Sequence, residues 1–315
     1  MKAVILKSYG EADKLLYTDL DKPAAGEGEY LIRIKAAGVN PVDAKARRGY
    51  LKDRIPNVFP IIPGWDFAGV VEERGHGARR FETGDGVYGY ARRTVYQYGT
   101  YAEYTVLPEC FIAGKHSRIS FQEAAAVRLA GLPPYQSLFQ AAGLSDGREI
   151  VVLGASGGVG SFAVQFARIN GAYIYAVASG GRAEYLQKLG AGHLIDYTKG
   201  SVSEQLESLL PDGADIVFDC VGGDATDEAY ECVKKGGTIV SILSHGSEEK
   251  NEQNDVDFRY VFVEPNVPQL ETIGRWIDEK RVKVPVSRVF ELEDAANAHR
   301  QIETGHTQGK IVLRI

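Results

Sequence analysis

The residues with the clearest chemical potential lie between positions 150 and 167, IVVLGASGGVGSFAVQFA. An apolar, β-branched run enters the glycine turn Gly154-Ala155-Ser156-Gly157-Gly158-Val159-Gly160. Phe162, Ala163, Phe166 and Ala167 then recur at helical spacing. Strand, glycine turn and helix in that order form the cradle a dinucleotide pyrophosphate requires. Gly157 lets the main chain approach the phosphates, and Gly160 lets the helix lie close on the strand. The free N–H groups and positive dipole end of the helix then face the anion. Ser156, Gly157, Gly158, Val159 and Gly160 are therefore expected to bind such a cofactor. Ala155 departs from a strict G-x-G-x-x-G, so the turn alone also fits a tight structural βα turn; the flanking elements favour the dinucleotide.

The residues after the next strand select the cofactor. That strand, residues 173–178, runs into Ser179-Gly180-Gly181-Arg182, with no acid before Glu184. NAD sites place Asp or Glu here to hold the ribose hydroxyls. Without that carboxylate nothing repels a 2′-phosphate. Ser179 can donate a hydrogen bond, and Arg182 offers a charge-assisted fork suited to phosphate oxygens. NADPH is the expected cofactor, with dual use left open and a plain helix start as the other reading of Arg182.

Those groups need elements to hold them. A chain of 315 residues exceeds a comfortable single core, which implies two domains. Up to about residue 110, short apolar or alternating runs (2–6, 30–36, 67–73, 101–106) are separated by glycine, proline and aspartate clusters. Many short strands with frequent turns point to a partly open barrel. Only residues 42–48 read as a helix there. Beyond Ser120 the spacing becomes helical over 121–129 and 134–142, with Pro133-Pro134 read as a break between them. After the glycine turn, strands at 173–178, 194–197, 216–221 and 238–242 alternate with helices at 183–189, 203–210 and 225–233. That alternation predicts a parallel, doubly wound sheet, with 260–263 as a final strand. Helices follow at 269–279 and 293–303, and strands near 288–291 and at 310–315, the last pairing back into the first region. The polar stretch 244–257 reads as a surface loop, with a lid as the alternative.

Composition excludes several function classes. Hydrophobic and charged contents of 44% and 25% are ordinary for a globular protein. A net charge of -6 argues against nucleic-acid binding, which needs a basic face. No run approaches the length of a membrane span, and residues 1–20 lack a signal-peptide pattern, so no membrane partner and a cytoplasmic location are expected. Cys110, Cys220 and Cys232 fit no zinc spacing and read as reduced thiols. His76, His116, His193, His245, His299 and His306 are scattered, with no recognisable catalytic context.

Four stretches carry a resemblance: Ala37-Gly38-Val39-Asn40-Pro41-Val42-Asp43-Ala44-Lys45, Pro63-Gly64-Trp65-Asp66-Phe67-Ala68-Gly69-Val70-Val71, the glycine turn, and Gly309-Lys310-Ile311-Val312-Leu313. Together they resemble the zinc-independent branch of the medium-chain dehydrogenase/reductase superfamily, with its quinone and enone (alkenal) oxidoreductases, over essentially the whole chain. The resemblance implies an α/β protein. A GroES-like, partly open β-barrel catalytic domain would span residues 1–113 and 265–315, around a Rossmann domain with a doubly wound parallel sheet at 114–264. Zinc members of the superfamily carry Cys where Asn40 stands and His-Glu where Trp65-Asp66 stands. Asn and Trp are not competent zinc ligands, so no metal is expected. Reduction of a conjugated system then fits best, because hydride addition at the β-carbon gives an enolate that hydrogen bonds can stabilise.

The resemblance also places Lys45 and Asn40 in the site, with Tyr50 a possible donor at its mouth and the substrate held between the two domains. A turn cap and a solvated helix residue are the plainer readings of Asn40 and Lys45. Asp43 and Asp66 read as structural ties. Further cofactor contacts are implied at Tyr197, Leu243, Ser244, Phe262, Val263 and Lys310. The expectation is a metal-free, NADPH-dependent reductase of quinones or α,β-unsaturated carbonyl compounds, cytoplasmic, homodimeric and partnered by small molecules. The alternative is a non-catalytic NADPH-binding regulatory or structural protein on the same fold.

Overall fold

A computed structural model describes all 315 residues. The chain divides into two compact units, residues 1–129 with 265–279 and 284–315, and residues 130–264 with 280–283. The first boundary therefore falls at Leu129 rather than at residue 113. The reason is the helix Phe121–Tyr135, whose first turns are tied to the first unit: the Leu129 N–H donates to Asp66 Oδ1 at 3.2 Å. Pro133 and Pro134 lie inside this helix and do not break it. A π-helical segment, Gln136–Ala141, follows directly. Prolines remove two intrahelical bonds, but the flanking Ala130, Leu132 and Leu138 are buried, and burial overrides the local preference. Residues 280–283 belong to the second unit because Gln165 brackets Lys283, accepting from its N–H at 2.7 Å and donating to its carbonyl at 3.0 Å.

In the first unit the organising strand is Glu29–Val39. It pairs antiparallel with Asp66–Arg74 on one side and with the C-terminal strand Lys310–Arg314 on the other, Ile311 opposite Val39. Register shifts at Leu31/Ile32 and Ile34/Ala36 bend the long strand, as bulges do in barrels. Gly86–Tyr90 and Ile112–Gly114 extend the sheet at one edge and Val286–Glu291 at the other. A smaller sheet joins Leu15–Asp19, Lys2–Leu6, Asn57–Ile62 and Tyr96–Tyr98. The core between them includes Leu6, Val39, Trp65, Tyr101 and Ile311.

The second unit is one six-stranded, all-parallel sheet. Its spatial order is His193–Asp196, Tyr173–Ala178, Glu149–Leu153, Ala214–Asp219, Val233–Ser241, Asp257–Tyr260. Numbered along the chain, that is the dinucleotide-binding order 3-2-1-4-5-6. The last strand ends at Tyr260, so the expected strand at 260–263 is displaced and Phe262 and Val263 follow it. The stretch 244–257 is not a plain loop. It holds the helix Glu248–Asn254, capped by Ser247 and pinned by Tyr230, whose hydroxyl donates to Asn251 Oδ1 at 2.7 Å. Its polarity is that of a solvated helix.

Candidate active site

Because every strand of the second unit runs the same way, all six carboxyl ends meet on one edge. The glycine turn leaves Leu153 between the Tyr173–Ala178 and Ala214–Asp219 strands, which is the switch point where such sheets bind ligands. Gly154 takes φ +72°, open to glycine without strain. A Cβ on Gly160 would stand 2.3 Å from the Gly154 carbonyl oxygen and 2.6 Å from Ala155 Cα, so only glycine lets the helix Gly158–Ile169 start this close to the strand. Around Gly157 the turn is open: a Cβ there would meet only the Gly154 carbonyl oxygen within 4 Å, at 3.4 Å.

The other cofactor residues expected in this unit all fall on the same edge. Ser179 and Arg182 follow the second strand, and Tyr197 the third. Leu243 and Ser244 follow the fifth, and Phe262 and Val263 the sixth. Tyr197, Leu243 and Phe262 keep 48%, 45% and 56% of their surface exposed. An acid does approach the Ser179 turn, but from the third strand. A Cβ on Gly180 would lie 2.3 Å from Asp196 Oδ2. Hydrogen bonds from the Thr198 hydroxyl and N–H hold the Asp196 carboxyl below its usual range, and Lys199 Nζ stands 3.7 Å away. Arg182→Ala is expected to raise the KM for NADPH by about tenfold or more, the cost of a charge-assisted hydrogen bond, while KM for NADH changes little. Equal shifts in both KM values would remove Arg182 from the phosphate site.

Sequence reasoning missed the residue that holds this edge together. Asp219 is fully buried at the end of its strand. Its Oδ1 accepts from the Val221 and Gly222 N–H groups at 2.8 and 2.9 Å, and its Oδ2 from the Thr226 and Ser241 hydroxyls at 2.7 and 2.9 Å. Ser241 Oγ in turn accepts from the Leu243 and Ser244 N–H groups at 3.1 and 3.0 Å. One carboxylate thus sets two of the edge loops. The available signal was an acid closing an apolar strand immediately before Cys220-Val221-Gly222-Gly223.

The first unit contains a buried polar cluster around Asn40, which precedes the short helix Pro41–Arg47. Asn40 Nδ2 donates to Asp66 Oδ2 at 3.0 Å, and Asn40 Oδ1 accepts from Lys310 Nζ. Lys310 Nζ also donates to the Val39 carbonyl at 3.1 Å. The Asn40 N–H donates to Asp43 Oδ2 at 2.8 Å, and the Tyr101 hydroxyl reaches the same oxygen at 3.3 Å. His299 Nε2 lies 3.2 Å from the Tyr101 hydroxyl. Two of the expected site residues thus meet in this buried cluster. The Asn40 carboxamide bridges Asp66 and Lys310. The Lys310 amine is buried against Val39 O and Asn40. Lys45 and Tyr50, by contrast, are exposed, and the Tyr50 N–H donates to the Lys45 carbonyl at 3.0 Å, which keeps them adjacent.

Burial dominates the electrostatics of this cluster. It pushes the Asp43 carboxyl up to about 7, against the Asn40 N–H and with the Asp66 charge. Burial also raises Asp66, opposed chiefly by Lys310, and lowers the Lys310 ammonium, opposed by Asp66 and Asp43. His299 is held down to about 3 by burial and by the Arg47 charge.

A glycine turn at the switch point of a 3-2-1-4-5-6 sheet, joined to a bent barrel-like unit, defines a dinucleotide-dependent dehydrogenase/reductase. Comparison with known proteins agrees. Residues 26–116 match the family described as alcohol dehydrogenase GroES-like domain, and residues 189–313 the family described as zinc-binding dehydrogenase. The chain is 35% identical to a 2-methylene-furan-3-one reductase of Solanum lycopersicum, over 99% of this chain and 79% of that protein. It is 34% identical to an NADPH-dependent alkenal/one oxidoreductase, chloroplastic, of Arabidopsis thaliana, with the same coverage. The solved quinone oxidoreductase from Coxiella burnetii matches with a TM-score of 0.90 and 30% identity, over 100% of this chain and 99% of that one. The chain belongs to the medium-chain dehydrogenase/reductase superfamily, among its quinone and alkenal oxidoreductases.

The matched family description names zinc, but the residues present do not fit that metal. Trp65 packs edge-on to Tyr90 and Tyr96 at 5.9 and 5.6 Å, and Asn40 already carries the Lys310 cation, which would repel a second one. Nowhere do three His, Cys, Asp or Glu side chains converge. No helix is long and apolar enough to cross a membrane.

Proposed function

We propose that this protein is an NADPH-dependent reductase that adds hydride to the β-carbon of quinones or α,β-unsaturated carbonyl compounds. The observation that carries the reading is the open glycine turn at the switch point, with Ser179 and Arg182 where an NAD site would show an acid. The names of its relatives in tomato and Arabidopsis support the substrate class. When bound, NADPH supplies the hydride. The chain's own residues do the rest. N–H groups at the start of the helix Gly158–Ile169 hold the pyrophosphate, and Ser179 and Arg182 hold the 2′-phosphate. Lys45, an exposed ammonium, donates to the oxygen that becomes an enolate or orients the cofactor beside it. Tyr50 or water returns a proton to the α-carbon.

The test is NADPH and NADH oxidation against a panel of quinones and 2-alkenals. Turnover with NADPH on members of either class is expected. Tight NADPH binding with no turnover on any of them would overturn the reading in favour of a non-catalytic regulator. We also read the protein as a cytoplasmic homodimer. Three unpaired cysteines suit a reducing compartment, and the edge strand Asp257–Tyr260 leaves backbone groups open to a second copy. Light scattering at twice the chain mass of 34.4 kDa checks the dimer.

A further inference from the structure

The helix Pro41–Arg47 carries Lys45 but has only seven residues, too few to be stable by itself. Its apolar grip is small, through Val42, Ala44 and Ala46. What holds it instead is charge at both ends. At the far end Arg47 is wholly buried and bonds to Glu303. At the near end a single ammonium reaches the last carbonyl of the organising strand, Val39 O, and the Asn40 side chain that starts the helix. Asn40 can bridge only in one orientation, its oxygen toward Lys310 and its amide NH2 toward Asp66. Remove the ammonium and Val39 O and Asn40 Oδ1 lose a buried donor, while the Asp43 and Asp66 pair loses the cation that opposes both charges and Asp66 keeps only Arg128.

We propose that Lys310 is a positioning residue for reduction: it fixes the orientation of the Asn40 amide and thereby the placement of the helix Pro41–Arg47 and of Lys45, and it acts through that helix rather than by touching the cofactor. This rests on the reading that Lys45 serves the reaction. Displacement of a reacting group by about 1 Å is enough to cost up to about a hundredfold in rate, and a seven-residue helix released at one end has that freedom.

The experiment compares the full chain with Lys310→Met, Lys45→Met and the double variant. The readouts are kcat on the best substrate of the panel, NADPH affinity by cofactor fluorescence, and amide hydrogen exchange over residues 41–47 without cofactor. Lys310→Met is expected to lower kcat about tenfold or more, to leave the NADPH Kd within about twofold of wild type, and to speed exchange over residues 41–47. In the Lys45→Met background it should cost nothing further. Weaker NADPH binding with unchanged exchange would make Lys310 a cofactor contact and overturn the proposal, as would losses that multiply in the double variant. A wild-type kcat in Lys45→Met would strike the reading of Lys45, whereas wild-type exchange in Lys310→Met would strike the pin alone, so the two failures separate. Should Lys310→Met not fold, Lys310→Gln keeps an amide donor at the same place and carries the same readouts, with a smaller change expected in each.

Discussion

Asp219→Ala is expected to destabilise the protein by about 4 kcal/mol and to weaken NADPH binding by about tenfold or more. The side chain is fully buried and answers four donors, the Val221 and Gly222 N–H groups and the Thr226 and Ser241 hydroxyls. Each donor left unanswered costs about 1–3 kcal/mol. Water can reach part of the Val221–Gly222 turn, whose residues are not buried, so the total falls below the simple sum. The binding loss has a separate cause. Leu243 and Ser244 are tied to Ser241, and Ser241 is tied to Asp219, so two loops of the ligand edge loosen together.

Asp219→Asn supplies the contrast. Its oxygen still accepts from the Val221 and Gly222 amides, and the Thr226 and Ser241 hydroxyls can turn to accept from the new NH2 group. That variant should lose about 1–2 kcal/mol. Urea unfolding and NADPH fluorescence titration on both proteins measure these effects. If Asp219→Ala matches wild type in both, the carboxylate does not hold the edge.

Acid should expose the buried histidine. Between pH 7 and pH 4 the wild-type protein is expected to lose about 3 kcal/mol more stability than His299→Gln. In the unfolded chain a histidine titrates near 6.5, whereas in the fold His299 is held to about 3, first by burial and then by the Arg47 charge. The hydrogen bonding explains why a second proton is refused. Tyr101 turns its own hydrogen toward Asp43 and accepts from His299 Nε2, which leaves Nδ1 buried with no partner. A depressed folded value means the stabilisation is present above 6.5 and is lost as pH falls toward 3. Each unit in that window costs about 1.4 kcal/mol.

Asp43 works in the opposite direction. Its carboxyl is raised to about 7 in the fold from 3.8, so its contribution is present below 3.8 and is lost as pH rises through about 7. Acidification from pH 7 to 4 therefore restores stability through Asp43 while removing it through His299. The wild-type curve is flatter than either group alone would make it. Glutamine at position 299 still offers Tyr101 a donor, so the Asp43 contribution is common to both proteins and cancels in the difference. Urea unfolding at pH 4, 5, 6 and 7 gives the comparison, and parallel curves for the two proteins would refute it.

Much of this molecule is written locally. The glycine turn, its strand and its helix occupy one continuous stretch, Glu149 to Ile169, and alternation of strands with helices is enough to imply a parallel sheet. Parallel strands place whatever follows each of them on one edge. Ser179, Arg182, Tyr197, Leu243 and Phe262 could therefore be placed on the carboxyl edge of the sheet without a structure. The absence of competent zinc ligands at Asn40 and Trp65 was equally visible, because it is a matter of donor atoms.

Partners that lie far apart in the chain were not legible. Lys310 and Val39 are 271 residues apart, and His299 and Tyr101 are 198 apart. A lysine in Gly309-Lys310-Ile311 reads the same whether its amine meets a cofactor or a carbonyl in the core. Only the pairing of the last strand with Glu29–Val39, Ile311 opposite Val39, delivers that amine to its acceptors. The same holds for Pro133-Pro134, where burial kept a helix that local rules would end. Propensity and periodicity act over a few residues, whereas a buried charge is decided by whichever distant groups the closed fold brings within hydrogen-bonding distance to replace water.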